Sequence, residues 1–237
     1  DDTVRQFQNT SMRLRYSLVP VVAASQGYAF GGGCEFLMHC DKVVAALETY
    51  IGLVEVGVGL LPGGGGCKEF ALRAAQESRG DVLAALKDYF MAIATAKVGT
   101  SALEGQAIGY LKKTDTVVFN VHELLYVAKQ EALAMAEAGY RPPLKAKGFP
   151  VAGRSGAASI KGQLVNMLEG NFITKHDFTI ASLIADVMTG GDLEAGTLVD
   201  EQWLLDLERK AFMSLLKNPL SQARIANMLT TGKPLRN

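Results

Sequence analysis

The chain has 237 residues, 49% of them hydrophobic, with 24 Lys and Arg set against 24 Asp and Glu. That length and apolar fraction supply a real core for one large or two small domains, and exclude wholesale disorder. A formal net charge of zero excludes a strongly basic nucleic-acid binder, which needs a surplus of Lys and Arg. Cys34, Cys40 and Cys67 are too few for a disulfide framework and read as small buried hydrophobes in a reducing compartment. No apolar run approaches the roughly 20 residues that cross a bilayer, and no signal peptide opens the chain; a cytoplasmic protein is expected. Asp1, in place of Met, enters directly into helical sequence, as expected of a piece of something longer.

Thr3 to Leu18 spaces Val4, Phe7, Met12, Leu14 and Leu18 more like a helix than a strand. Pro20 stops it, and Val21 to Ala24 reads as a short buried strand. Gly27 to Gly33 is expected to be a glycine-dense turn, Cys34 to Cys40 a short helix and Lys42 to Ala46 a second strand. Strand, glycine turn, helix, strand is the grammar of an α/β layer. Tyr50 to Gly66 holds seven glycines and Pro62. Glycine inside an element costs about 0.5–1 kcal/mol against Ala, so this stretch cannot be regular throughout. Its backbone must approach something closely or turn left-handed repeatedly.

Helices are predicted over Phe70 to Ala75, Asp81 to Ala96, Ser101 to Leu111 and His122 to Gly139, with a strand at Thr116 to Phe119. Arg141 to Gly156 reads as a linker. Helices then follow at Ala157 to Glu169, Phe178 to Met188, Asp200 to Leu216 and Pro219 to Leu229. Trp203, Leu204, Leu207, Phe212 and Leu215 form a stripe on the third of these.

Several motifs fail. Gly57-Val58-Gly59 opens like a dinucleotide fingerprint, but Pro62 occupies the place of its third glycine. Gly63 to Lys68 lacks the Lys-Ser/Thr ending of a phosphate loop, and no hydrolase elbow is present. His39, His122 and His176 are scattered, and no metal site is expected; each reads as a surface or cap residue. Arg154, Ser155, Lys161, Lys175 and His176 could hold a CoA phosphate, yet such clusters read more simply as solvated loops. What remains is Gly31-Gly32-Gly33-Cys34-Glu35, with Glu55 twenty residues on. Glycines ahead of a helix leave N–H groups uncovered at its positive end, where a developing oxyanion is stabilised. Glu35 and Glu55 stand among apolar neighbours, where two carboxylates can divide acid and base roles. Alternatively, Glu35 caps the helix and Glu55 lies on an exposed edge. Tyr28, Phe30 and Phe90 read as core, the first two also as acyl-pocket candidates.

Pro20-Val21-Val22-Ala23-Ala24, Gly27-Tyr28-Ala29-Phe30 running into Gly31 to Glu35, Cys40-Asp41, Glu55 and Gly59-Leu60-Leu61-Pro62 running into Gly63 to Gly66 together resemble the enoyl-CoA hydratase/isomerase (crotonase) family. The likeness is close over residues 3–75 and loose over 101–119. Thr231 to Asn237 resembles the C-terminal end of large bacterial 3-hydroxyacyl-CoA dehydrogenases.

The resemblance implies an α/β fold: a partial crotonase-like core of spiral ββα type over 1–145, then a mostly helical region over 146–237. It implies Gly32 as an oxyanion-hole donor, and Glu35 (base) and Glu55 (proton donor) as a pair holding one water. It places Tyr28, Phe30, Gly31, Gly33, Pro62 and Gly63 along the substrate. The implied reaction is hydration of a trans-2-enoyl-CoA in fatty-acid β-oxidation. An inactive scaffold for the dehydrogenase or an enoyl-CoA isomerase are the alternatives, although isomerases generally lack one glutamate. No cofactor is implied in this chain; the CoA thioester is substrate, and NAD belongs to a dehydrogenase part outside it. Self-association and a thiolase partner for the parent protein are implied. The family's first oxyanion donor would precede Thr3, so this chain alone is expected to be impaired by about 100–1000-fold.

Overall fold

The computed structural model describes residues 1–237. In chain order it contains α1 (Asp2–Arg15), β1 (Val22–Ser25), β2 (Tyr28–Phe30), α2 (Gly32–His39), β3 (Lys42–Ala46), β4 (Tyr50–Gly52) and a 3-10 turn (Glu55–Val58). Then come α3 (Gly66–Glu77), α4 (Val82–Ala94), α5 (Ala102–Ile108), β5 (Thr116–Val118), a 3-10 turn (Val121–Glu123) and α6 (Leu124–Glu137). The last third adds β6 (Phe149–Pro150), α7 (Gly153–Glu169), α8 (Lys175–Met188), β7 (Leu198–Val199), α9 (Glu201–Leu216) and α10 (Pro219–Thr231).

These elements form two compact units: a sheet unit of Asp2–Leu53 with Val98–Lys145, and a helical unit of Val54–Lys97 with Ala146–Asn237 and Asp1. The chain passes between them at 1/2, 53/54, 97/98 and 145/146.

In the sheet unit β1, β3 and β5 pair in parallel in the order β1-β3-β5, with Ala23 opposite Val43 and Ala45 opposite Val117. The apolar, partly β-branched runs suit this, because a parallel sheet is covered on both faces. Val44, Val118, Leu124 and Ala128 form a buried cluster, with Val22 and Val127 against it. Carboxylates, Asp115 buried and Asp41 half-buried, fix the strand ends. Asp115 Oδ1 accepts the Val43 N–H at 2.8 Å, and Asp41 Oδ2 accepts the Val21 N–H at 2.8 Å. The Lys112 ammonium donates to the carbonyls of Cys40 and Asp41 at 2.8 and 3.0 Å. All three cysteines are free and buried, as their composition suggested. Burial pushes the Cys40 thiol up to about 11, so it stays protonated.

Gly27 to Gly33 is not a continuous turn. Gly27 and Gly31, at φ 68° and 53°, bracket β2, which pairs in parallel with β4. The positive φ values explain why glycine stands at those two positions. The Arg141 to Gly156 stretch is not a linker throughout either, because β6 pairs antiparallel with β7 and α7 begins at Gly153.

In the helical unit α3 packs on α4, α8 and α9. Its buried face carries charge: Lys68 Nζ lies 2.9 Å from Glu201 and 3.3 Å from Glu69, whose other oxygen accepts from Arg73 Nε at 2.9 Å. All four side chains are nearly inaccessible. At the start of α3, Glu208 of α9 accepts the N–H groups of Gly65, Cys67 and Lys68 at 2.7, 3.0 and 3.3 Å. A carboxylate there satisfies otherwise orphaned donors at the positive end of the helix dipole. The α9 stripe is accordingly shifted from the predicted one. Glu201, Leu204, Leu205, Glu208, Ala211 and Leu215 face inward, whereas Trp203 is partly exposed and donates from Nε1 to the Gly190 carbonyl at 3.0 Å.

Glu208→Ala strands three buried N–H donors and should destabilise the protein by about 3 kcal/mol. Chemical denaturation at pH 7 checks this, with Glu208→Gln expected to lose less because its amide oxygen still accepts.

Candidate active site

The strand-to-helix passage from β2 to α2 needs a sharp reversal, and Gly31 supplies it with φ 53° as the helix N-cap. Its N–H donates to the Gly52 carbonyl of β4 at 2.9 Å, and its own carbonyl accepts the Glu35 N–H at 3.0 Å. The N–H groups of Gly32 and Gly33 stand ahead of that first intrahelical bond. The three glycines have different reasons. A Cβ on Gly32 would lie 2.8 Å from the Phe7 ring of α1, which packs at 4.8 Å on Phe36. A Cβ on Gly33 would meet nothing within 4 Å.

Glu35 occupies the first turn of α2 and is 2% exposed. Its backbone carbonyl accepts from His39 Nδ1 at 2.6 Å, which assigns that nitrogen the proton. His39 is therefore a buried helix residue, not the surface residue expected. His176 is likewise buried, and only His122 lies at the surface. Tyr28 is 77% exposed and Phe30 is also exposed, which corrects their assignment to the core. In a three-residue strand the alternation buries Ala29 and turns its neighbours outward, where Tyr28, Phe30 and Tyr50 gather with ring centroids 5.4 Å apart along the chain of contacts. Phe90 is buried as predicted.

Glu55 opens the 3-10 turn of the helical unit and is half-buried. Gly59 closes that turn in the left-handed region at φ 82°. The Leu60 N–H returns to the Glu55 carbonyl at 3.0 Å. Pro62 and Gly63 are buried, and a Cβ on Gly63 would stand 2.7 Å from the Phe212 ring of α9. The close approach implied by the glycine run is thus made to α9 at Gly63 and to Ser221 of α10 (Pro219–Thr231) at Gly59. Gly57 to Pro62 is a 3-10 turn and loop rather than a strand-to-helix turn, so it does not have the form of a dinucleotide site.

Sequence reasoning missed two residues behind the Glu55 turn. Ser221 of α10 donates from Oγ to the Gly59 carbonyl, with the oxygens 2.5 Å apart. Arg224, 2% exposed, donates from Nη1 to the Val56 carbonyl at 3.2 Å and to Asp177 at 2.7 Å. His176 Nε2 lies 3.0 Å from Ser221 Oγ. The one legible signal was Thr174-Lys175-His176-Asp177, a capping box in which both reciprocal bonds form. It starts α8 three residues before the predicted Phe178. The Arg154 and Lys161 cluster is self-neutralised, Arg154 by Asp192 and Glu194 and Lys161 by Asp186.

Residues 1–100 match the model of the enoyl-CoA hydratase/isomerase family. A Bacillus subtilis (strain 168) protein described as a probable 3-hydroxyacyl-CoA dehydrogenase is 45% identical over all of this chain. This chain spans 30% of the length of the Bacillus subtilis relative. A Dictyostelium discoideum protein described as a probable mitochondrial enoyl-CoA hydratase is 36% identical over half of this chain, which spans 36% of that relative. An enoyl-CoA hydratase crystal structure from Mycobacterium avium subsp. paratuberculosis K-10 superposes with a TM-score of 0.59 at 19% identity, covering 100% of this chain and 73% of that one. The fold is therefore crotonase-like, α/β with small parallel sheets and a helical C-terminal region. No helix is long and apolar enough to cross a membrane.

In this crotonase-like chain the buried His176 titrates below its ordinary 6.5, because burial and the nearby Arg224 cation oppose its protonation while Asp177 favours it less strongly. The unfolded imidazole then binds its proton more readily than the folded one. The His176 contribution to stability should be constant above pH 6.5 and fall as pH drops below it. Denaturation midpoints from pH 8 to pH 5 check this, and His176→Gln should flatten the slope between pH 6.5 and pH 5.

Proposed function

We propose that this chain carries the hydratase chemistry of its family, adding water to a trans-2-enoyl-CoA to give a 3-hydroxyacyl-CoA. The observation that carries the reading is a buried carboxylate, Glu35, in the first turn of a helix opened by three glycines, with Glu55 on the next glycine-rich segment. In the reaction, the Gly32 N–H donates to the thioester carbonyl oxygen, where negative charge gathers as the enolate forms. Glu35 takes a proton from water while the water oxygen bonds to C3. The C2–C3 π electrons move into the enolate, and Glu55 then gives its proton to C2. The carboxylates finish with exchanged protonation and are reset through solvent. Gly31 and Gly33 would line the thioester, and Tyr28 and Phe30 the rest of the acyl-CoA.

The dehydrogenase description of the Bacillus subtilis relative supports a place in fatty-acid β-oxidation, the hydroxyacyl product being oxidised by an NAD-dependent part of a longer, self-associating protein. No step proposed for this chain runs through NAD. The presence of both glutamates favours hydration over double-bond isomerisation, which needs only one acid–base carboxylate.

Glu35→Gln and Glu55→Gln, made in the full-length protein, should each lower kcat for hydration of a short trans-2-enoyl-CoA by at least about 100-fold. Loss of the conjugated thioester absorbance measures it. Near-normal hydration by either variant would overturn that residue's role, and an inactive parent with intact dehydrogenase activity would make this region a scaffold.

A further inference from the structure

We infer that Ser221 and Arg224 of α10 are positioning residues for Glu55, holding in place the turn from which that carboxylate acts; the inference rests on the hydratase reading of Glu55. The turn is four residues long, and its N-cap residue Val54 makes no side-chain cap bond. Bonds at its two ends run from Gly57 N–H to Val54 O, Gly59 N–H to Val56 O and Leu60 N–H to Glu55 O, each at 3.0 Å. A single turn of helix is weakly self-supporting, because its nucleation fixes several dihedrals for each bond made.

The missing rigidity comes from α10. Arg224 bonds the Val56 carbonyl and Ser221 the Gly59 carbonyl, so the turn is gripped at both ends of the segment that follows Glu55. The fit is tight. A Cβ on Gly59 would stand 2.8 Å from Ser221 Cα and 3.2 Å from Arg224 Cδ.

Both gripping residues are themselves fixed. Ser221 spends its single proton on Gly59, so the bond from His176 must come from a protonated Nε2, and this sets the hydroxyl's direction. Arg224 is held by Asp177 and, through Nε, by Asn237 Oδ1 at 2.8 Å. Its second amino group faces Thr174 Oγ1 and the Asn237 carbonyl, both at 3.3 Å. Five acceptors around one buried guanidinium exceed what charge neutralisation by Asp177 requires. The arrangement fixes the position of the fork, and the fork fixes Val56.

The chemistry makes this consequential. A misplacement of about 1 Å at a reacting group can cost about 100-fold in rate. Neither Ser221 nor Arg224 is a catalytic residue here, since the bonds they make to the turn go to its backbone.

The test is a double-mutant cycle on hydration kinetics in the full-length protein. Ser221→Ala should lower kcat about tenfold with KM within twofold, and Arg224→Lys, which keeps the charge but not the fork, should do the same. In the Glu55→Gln background, Ser221→Ala should change kcat by less than twofold, because the positioned group is already gone. Thermal midpoints are read in parallel. A Ser221→Ala variant that melts earlier yet keeps kcat within twofold overturns the inference, as does a loss that adds in full to that of Glu55→Gln. If Ser221→Ala does not fold, Arg224→Lys carries the same cycle. Undiminished hydration by Glu55→Gln is a different failure: it removes Glu55 from the reaction and the positioning claim with it.

Discussion

A side chain on a short element can be no better placed than the backbone contacts made by that element's carbonyls and amides. Both glutamates of interest stand on such elements, Glu35 on the eight-residue α2 and Glu55 on a four-residue 3-10 turn. In each case the backbone is tied to something longer. The α2 start is bonded through Gly31 to β4, and the Glu35 carbonyl is held by the His39 ring one turn on. The Glu55 turn is held by α10. The design trades local regularity for external bracing, which leaves the glutamate side chains directed by backbone that has little freedom to drift.

The same preference for bonds from buried polar groups to backbone recurs where no chemistry is proposed. Asp115 and Asp41 accept the N–H groups of Val43 and Val21 at strand ends, and Glu208 accepts three at the start of α3. Burying Asp115 and Glu208 is expensive, and a well-packed apolar replacement of a buried ion pair can be equally stable. What an apolar side chain cannot do is fix axial register, because it slides along a neighbouring helix with little change in energy. Glu208 bonded to three amides at the start of α3 admits one register of α3 on α9. The Lys68, Glu69, Arg73 and Glu201 cluster adds a second constraint on the same pair of helices.

Much of this was legible in the sequence. The apolar runs at 21–24 and 42–46 become parallel partners, and Cys34 to Cys40 lies on the predicted helix. The misses share a physical cause: tertiary partners override local pattern. Trp203 and Phe212 made an apolar stripe on α9 more obvious than the real one, which contains Glu201 and Glu208 because their charges have partners on α3. Composition cannot distinguish a solvated glutamate from one that caps another helix 140 residues away. Tyr28 and Phe30 read as core because aromatic residues usually are, yet a three-residue strand with Ala29 inward must turn both outward. Ser221 and Arg224 carry no local signature at all, since each is defined by a carbonyl some 160 residues earlier.

The glycine run before Glu35 shows how much of a motif is packing and how much is left for chemistry. Gly31 is required by its positive φ, and Gly32 by the Phe7 ring that occupies the space of a Cβ. Either would be glycine in a protein with no reaction to perform. Gly33 is different, because a methyl group there is sterically free and its backbone is ordinary helix. Glycine at such a position costs about 1 kcal/mol against Ala. Packing and backbone geometry therefore give it no reason to be glycine. Under the hydratase reading it has one: a bare first turn lets an acyl thioester approach the N–H of Gly32 without meeting a side chain. The informative glycine of the three is thus the one that the fold does not need.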